Sequence, residues 1–332
     1  MTESFFEVRR KGKPVRVPSI LINDLKIIAL GKWFKTTSVH DEVWTKGQVV
    51  EDPEGFIGQL KAHHFKADIF TFIQKLPETQ PKYRYFYEWD NVAAIPLSSF
   101  KDWWENRLPQ VTRKNVRRSA KRGVVVHTVE LNDELIQGIT DIYNEIPFRQ
   151  GKRFPHFGKD FETVKIEVST LMDRSEFIGA YHGNELIGFI KLVHMGPISS
   201  ILHIVSKNKH YDKRPTNALI TKAVELSLQR GASYLVYGNY IYGNKINSPL
   251  AEFKRRNGFV QVNYPRYYAP LSLKGKIVIG LRLHKGLLGL LPPFIISLLW
   301  NIRARIYQRK TSLQEKTEDR SAKGKENNHQ DE

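Results

Sequence analysis

The chain of 332 residues contains no cysteine. Disulfides, thiolate zinc sites and a cysteine nucleophile are therefore excluded, and a reducing compartment is expected. Walker loops, paired Gly-x-Gly-x-x-Gly loops and His-Glu-x-x-His are also absent from the sequence. The adjacent His63 and His64 diverge on a helix and make a poor metal site. We predict no metal centre.

The chain also lacks an apolar run of the roughly 20 residues that a bilayer span needs. The uncharged, mostly apolar run at 287–300 is shorter and is interrupted by two prolines. Residues 271–310 around it carry eight lysines and arginines and no acid. This composition predicts a helical arm, either in the interface of an anionic membrane or packed on the protein's own core.

The N-terminus shows no signal peptide, so we expect a cytoplasmic protein, peripheral on the inner membrane face if the arm binds lipid. The C-terminus differs in composition from the rest of the chain. Residues 311–332 have six acids, four bases and one leucine. Too little apolar surface is present there to offset the ordering entropy, which predicts a disordered tail.

Acids are scarce relative to bases, 34 against 52, which leaves a net charge of +18. Nucleic acid, anionic lipid and a polyphosphate donor are all suitable partners for such a charge. Six of the ten residues at 113–122 are basic, and their spacing places them on one broad helix face. That face is either solvated near acids elsewhere in the fold or a contact for phosphates, RNA included.

Residues 177–237 alternate between strand and helix patterns. Strands are predicted at 177–181, 186–194 and 198–206, with a hairpin turn at 182–185. A helix at 215–230 and a short strand at 234–237 follow. A strand, a helix and a strand in this order imply a parallel pair. The helix would begin beside a sheet end, where backbone N–H groups can receive phosphate.

The first part of the chain mixes both kinds of element. Strands are predicted at 25–34 and 83–87 and a helix at 52–63, whose acid and proline suit a first turn. Residues 100–122 are predicted to be one helix.

Residues 177–268 resemble the core of the GNAT acyltransferase superfamily. That core closes with an asparagine and, near the end of the next helix, a Gly-Phe pair, which Asn247 and Gly258-Phe259 match. Ala251 and Phe253 stand at the expected apolar positions.

The basic stretch at 113–123 makes the chain similar to Fem-type aminoacyltransferases, in which a basic helix follows a degenerate GNAT-like unit. The segment around Trp89-Asp90-Asn91 resembles uncharacterised bacterial GNAT-like proteins. The resemblance covers about residues 60–270.

The resemblance implies an α/β fold with a mixed α+β sheet, in which a degenerate GNAT-like unit precedes a complete one. We place four regions along the chain: an N-terminal α/β unit at 1–125, a GNAT-like acyltransferase core at 126–270, the basic arm at 271–310 and the disordered tail at 311–332.

The donor loop departs from the family pattern. The family carries Arg-Gly-x-Gly-x-Gly/Ala there, whereas residues 211–217 read Tyr-Asp-Lys-Arg-Pro-Thr-Asn. Glycine lets the backbone approach phosphate closely, so its absence weakens a backbone cradle. Lys213, Arg214, Thr216 and Asn217 are the side chains that can substitute.

The residue at the position of the family's general acid also differs in this sequence. Lys254 stands where the family often has a tyrosine that protonates the leaving group. Tyr237, Tyr240 and Tyr242 are alternatives, and Tyr242 is our candidate acid.

The resemblance implies N- or O-acyl transfer from acetyl-CoA or another acyl-CoA to an amine, a sugar or a lipid-linked glycan. Such transfer needs a base, oxyanion donors and an acid. His203 and His156 are candidate bases, although a lone histidine is more often structural. The candidate donor-binding residues are Val205, Ser206, Lys207, Lys213, Arg214, Thr216, Asn217 and Asn247.

Two alternatives stay open. The first is a Fem-type transferase that takes its acyl group from aminoacyl-tRNA. The second is a non-catalytic GNAT-like module that binds RNA or an anionic membrane, suggested by the missing glycines and by Lys254.

Overall fold

The computed structural model describes residues 4–10, 13–149, 151–242 and 248–285. Asn247, most of the predicted arm and the whole predicted tail lie outside these residues. The chain divides into one unit that ends at Ala269 and a second that begins at Pro270.

The strands are β1 Ser4–Arg10, β2 Lys13–Ile22, β3 Leu25–Leu30, β4 Thr36–Val39, β5 Ile69–Ile73, β6 Phe86–Pro96, β7 Val124–Val129, β8 Phe148–Arg149, β9 Lys152–Arg153, β10 Ser175–His182, β11 Glu185–Met195, β12 Ile198–Ser206, β13 Tyr234–Val236 and β14 Val260–Pro270. The α-helices are α1 Pro53–Ala62, α2 Phe100–Asp102, α3 Gln110–Lys121, α4 Asp133–Asn144, α5 Phe161–Val168, α6 Pro215–Gln229, α7 Pro249–Arg256 and α8 Leu273–Gly280. Short 3₁₀ turns lie at Glu42–Trp44, Met172–Arg174, Asn208–Lys213 and Leu283–Lys285, and a π-turn at Trp103–Arg107.

Twelve strands form one sheet in the order β1-β2-β3-β4-β5-β14-β6-β13-β12-β11-β10-β7. The predicted hairpin β10–β11, the antiparallel neighbour β12 and the parallel pair β12–β13 are all confirmed. β14 lies between β5 and β6, so early and late parts of the sequence share the sheet.

Helices cover both faces of the sheet around β11, which explains why this strand is a nearly continuous apolar run. Phe189 of β11 packs on one face with Leu135 and Ile139 of α4. Ile190 packs on the opposite face with Leu219 of α6. Burying each such side chain stabilises the fold by roughly 1.5–3 kcal/mol. The strand therefore holds a rigid centre beside β12.

Some predicted elements were wrong in extent. The helix predicted at 100–122 is interrupted at Leu108 and Pro109, because a proline disfavours helical backbone in the residue before it. The strand predicted at 83–87 begins at Phe86 and runs to Pro96, through polar residues that face a half-exposed surface. The strand predicted at 25–34 stops before Gly31, whose φ is 122°.

The second unit begins with α8, whose N-cap Ser272 accepts a hydrogen bond from the Gly275 N–H at 3.0 Å. Only residues 271–285 of the predicted arm fall within the described part. No helix among the described residues is long and apolar enough to cross a membrane.

Candidate active site

A cleft of about 870 Å³ opens where β12 and β13 separate. The described pairing of β13 with β12 covers Ile198–Ser200. Residues 201–206 therefore have no described strand beside them on that side. Leu202 is an extra residue, because Leu192 pairs with Ile201 and Lys191 with His203. Such a bulge redirects the side chains that follow it.

After the bulge, successive side chains of β12 point to opposite faces of the sheet, as in any strand. Ile204 packs against the core on the α6 side. His203 lies near Phe189 and Tyr143 on the α4 side. The cleft touches both faces, since Phe154 lines it on the α4 side and Phe253 of α7 on the other. A molecule bound on one face can therefore reach a molecule bound on the other.

Five of the predicted donor-binding residues line this cleft: Val205, Ser206, Arg214, Thr216 and Asn217. Lys207 does not, because it is buried with its Nζ 2.7 Å from Glu185 Oε1, and its N–H donates to the Ile187 carbonyl. Lys213 is not in the lining either; its Nζ lies 3.7 Å from Asp212.

The start of the donor loop is held by a carboxylate of the chain itself. The N–H groups of Asn208 and Lys209 donate to Glu145 at 2.6 and 2.9 Å. Arg149 lies 3.4 Å from the same carboxylate, and its other terminal nitrogen donates to the Ser206 carbonyl at 2.7 Å. Charge-assisted hydrogen bonds of this kind are strong, so the turn after β12 is preformed.

The basic side chains of the loop are paired as well. Glu185 accepts hydrogen bonds from Lys207, Lys209 and His210. Burial opposes ionisation of this carboxyl, but the three donors outweigh it and hold the pKa at about 2. Arg122 of α3 binds Asp212 at 2.5 Å. The loop therefore offers few free cations to a phosphate.

The backbone at the start of α6 also offers few N–H donors to a phosphate. Pro215 has no N–H, and Arg214 adopts the left-handed conformation with φ 57°. The Asn217 N–H donates to the Arg214 carbonyl at 3.2 Å. A phosphate in this cleft would meet a side chain instead, that of Arg214 on the loop, since Glu252 already pairs with Arg255 and Arg256 of α7.

The two predicted bases come together, with ring centres of His156 and His203 6.1 Å apart. Lys159 donates to Nδ1 of His156 at 2.9 Å and also binds Glu167. An ammonium can only donate, so Nδ1 of His156 must accept and its ring proton sits on Nε2. The acceptor nitrogen of His156 is thus already in use.

The hydrogen bonding of His203 depends on its tautomer, because the Tyr143 hydroxyl can donate or accept. Its Nδ1 is 3.4 Å from the hydroxyl of buried Tyr143. Burial, and then the charges of His156 and Lys191, lower the pKa of His203 to about 4. The ring is neutral at pH 7, and in the tautomer that directs Nδ1–H at Tyr143 its Nε2 can accept a proton.

Of the three candidate tyrosines, the one that lines the cleft is Tyr237, directly after β13. Burial, with the nearby Tyr242, raises the pKa of Tyr237 to about 12, so it remains a proton donor at neutral pH. Tyr242 is half exposed and outside the lining. Fully buried Lys254 donates to the Asn239 carbonyl at 2.6 Å and lies 4.6 Å from the Tyr237 ring centre. Burial lowers the pKa of Lys254 to about 8.

The basic helix α3 has internal partners for some of its cations. Arg113 donates to the carbonyls of Trp104 and Glu105, and Arg122 binds Asp212. Lys114, Arg118 and Lys121 are exposed. One counter-charge, Asp212, is thus present, while Lys114, Arg118 and Lys121 have no ion-pair partner in the part of the chain that the structure describes.

Sequence reasoning missed Tyr143, Glu145 and Arg149. Glu145 and Arg149 are four apart, but that spacing is common in ordinary helical ion pairs. Their partner atoms are backbone groups more than fifty residues away, which no local pattern reveals.

Comparisons with known proteins locate the fold. No family model and no curated protein matches the sequence. FemX matches with a TM-score of 0.57 at 12% identity, over 83% of this chain and 90% of that one. L-PGS from Bacillus licheniformis matches with a TM-score of 0.53 at 16% identity, over 80% of this chain and 88% of that one.

A conserved protein of unknown function from Bacteroides thetaiotaomicron VPI-5482 matches with a TM-score of 0.51 at 11% identity, over 77% of this chain and 86% of that one. At such identities the likeness concerns the fold. The predicted GNAT-like, Fem-type fold with its mixed sheet is confirmed.

Proposed function

We propose that this GNAT-like chain is an acyltransferase that passes an acyl group through the opening between β12 and β13. The observation that carries the proposal is the cleft that joins both faces of the sheet where these strands separate. The donor would lie on the side of α3, α6 and α7, where Arg214, Thr216 and Asn217 line the cleft. The acceptor would lie on the α4 side of the sheet, where Phe154 lines the cleft; His203 is on this side but is not itself part of the lining.

Each side chain then has a definite task. Nε2 of His203 takes a proton from the acceptor amine or hydroxyl as its nitrogen or oxygen attacks the acyl carbonyl carbon. Backbone N–H groups on the unpaired edge of β12, around Val205, would donate hydrogen bonds to the acyl carbonyl oxygen as it becomes negatively charged. The bond to the leaving group then breaks, and Tyr237 gives that group its proton. Lys254 holds the loop that carries Tyr237.

The donor has two candidates. Acyl-CoA is the donor of the GNAT pattern, and the cleft has the size for it and Arg214 for a phosphate. Aminoacyl-tRNA, the donor implied by the Fem-type resemblance, is favoured by a specific observation: the loop amides and lysines are consumed internally while Lys114, Arg118 and Lys121 lie free beside the cleft. A polynucleotide backbone would contact such a helix.

Transfer assays decide between the donors. Purified full-length protein is supplied with radiolabelled acetyl-CoA, longer acyl-CoAs or charged tRNA, together with amine, sugar and lipid-linked acceptors. We expect label in product with one donor class, and loss of that product in His203→Gln. Salt-sensitive RNA binding without transfer from any donor would instead support the non-catalytic module.

The acceptor is proposed to be an amine, a sugar or a lipid-linked glycan, the last of these if the arm at 271–310 binds anionic membrane. Flotation with anionic liposomes, with and without that arm, tests the membrane part. Equal flotation of both forms would remove the arm as the anchor.

A further inference from the structure

An amide side chain of α3 faces the cleft without a partner. Asn115 lines the cleft and has no hydrogen bond to any described residue. It follows Thr112 by three residues, and the Thr112 hydroxyl donates to the Arg256 carbonyl of α7 at 2.6 Å. Residues three apart share a helix face, so Asn115 is directed toward the junction of α3 with α7. Both its donor and its acceptor are open to a ligand.

A second amide, that of Asn217 on α6, also lines the cleft, and its hydrogen bonds fix its orientation. Nδ2 of Asn257 donates to the Phe253 carbonyl at 2.8 Å, so Oδ1 of Asn257 is its acceptor. Asn217 must therefore present Nδ2 to Asn257, at 2.9 Å. The Oδ1 acceptor of Asn217 is left for a ligand in the cleft.

Free amides of this kind match one nucleobase in particular. An asparagine amide forms two hydrogen bonds with adenine, accepting from N6 and donating to N7. Guanine is better read by arginine, but Glu252 binds Arg255 through Nε and Nη2, both at 2.7 Å, and Arg256 through Nε at 2.6 Å. Tyr211, 49% exposed, lines the same cleft and offers a ring on which a base can stack.

We propose that the cleft binds the adenine ring of the donor, with Asn115 reading its edge, Asn217 as an additional acceptor and Tyr211 as the stacking surface. Arg214 follows Tyr211 along the loop and contacts the adjoining phosphate. This inference rests on the proposed function, and adenine is the chemistry that both donors share, in CoA and in the terminal adenosine of tRNA.

AMP and IMP test the proposal, because they differ in the amino group at position 6 of the base. Calorimetric titration of the full chain should show AMP binding about tenfold more tightly than IMP, within the range for one bidentate contact. Asn115→Ala should abolish this preference. Asn263→Ala, which changes an exposed asparagine outside the cleft, should retain it, and circular dichroism confirms that both variants fold.

Equal affinity for AMP and IMP, a preference that survives Asn115→Ala, or no binding of AMP would each overturn the inference. Competition by CoA against the trinucleotide CCA identifies which adenosine source the site takes. Transfer without base preference would leave the proposed function standing and remove the adenine site. Base preference without transfer from any donor would do the reverse.

Discussion

At the scale of single residues, the two candidate bases differ in what they can accept. His156 is committed to Lys159, whereas His203 has, among the described residues, one long hydrogen bond with Tyr143 and ring contacts with Phe189 and His156. The low pKa of His203, about 4, follows from burial first and from the neighbouring positive groups second. Because a base with this pKa is neutral near pH 7, its protonation should affect kcat only at acidic pH.

We expect His203→Gln to lower kcat by about 10²–10⁴-fold, the usual contribution of a positioned base. In the wild type, kcat should fall as pH drops through about 4, because the protonated ring cannot accept, and should not change with this group above that range. Steady-state kinetics across pH measures both effects.

His127→Gln is the matched control, since His127 is exposed on β7, away from the cleft. The kcat of His203→Gln could instead still change with pH near the ordinary histidine pKa of about 6.5. That result would assign the role of base to another group.

At the scale of elements, the donor loop is an assembled structure without glycine. Glu145 from the end of α4 holds its amides, Glu185 from the β10–β11 turn holds its side chains, and Arg122 of α3 holds Asp212. Three separate elements thus supply the rigidity that the loop sequence lacks. Losing one of them should loosen only part of the loop.

Glu145→Gln should speed hydrogen exchange at the amides of Asn208 and Lys209 by roughly 10–100-fold, since a hydrogen bond to a charged group contributes about 1.5–3 kcal/mol. The KM for the donor should rise more than kcat falls. Exchange measured by mass spectrometry, with Glu134→Gln on the exposed first turn of α4 as control, tests this. Unchanged exchange at these two amides would mean that Glu185 and Arg122 are enough to hold the loop without Glu145.

The difference between local signals and contacts at long sequence separation explains how much the sequence could predict. The apolar runs of β10, β11 and β12 and the helical spacing of α6 are local signals, so the sequence located these elements. It also brought Val205, Ser206, Thr216 and Asn217 to one cleft, through a parallel pair. The roles of Glu145 and Tyr143 depend on contacts at long sequence separation and could not be predicted.

At the scale of the whole first unit, a buried carboxyl joins distant segments. Glu42 accepts from the Ile73 N–H at the end of β5 at 2.9 Å and lies 3.8 Å from Arg266 of β14. Burial raises its pKa from the ordinary 4.5 to about 7, against the hydrogen bond from Ile73 and the charge of Arg266.

The pH dependence follows from this shift. Below about pH 4.5 Glu42 is protonated in both the folded and the unfolded chain. Between about 4.5 and 7 only the unfolded chain ionises it, so the free energy of unfolding should fall by about 3 kcal/mol as pH rises, and then stay level with respect to this group. Glu42→Gln should remove this part of the pH dependence.

Urea denaturation at several pH values compares the wild type with Glu42→Gln, and Glu54→Gln on exposed α1 serves as control. An identical pH profile for wild type and Glu42→Gln would show that Glu42 ionises in the folded protein as readily as in the unfolded one.

The position of β14 has a consequence for how this protein is made. Because β14 fills the place between β5 and β6, a ribosome that has released only the first half of the chain has released a sheet with a gap in its middle. Both bordering strands then expose unpaired backbone until residues 260–270 emerge, a state prone to association with other chains. Slow translation of the later half should therefore favour aggregation, and early release of a truncated chain should give an insoluble product.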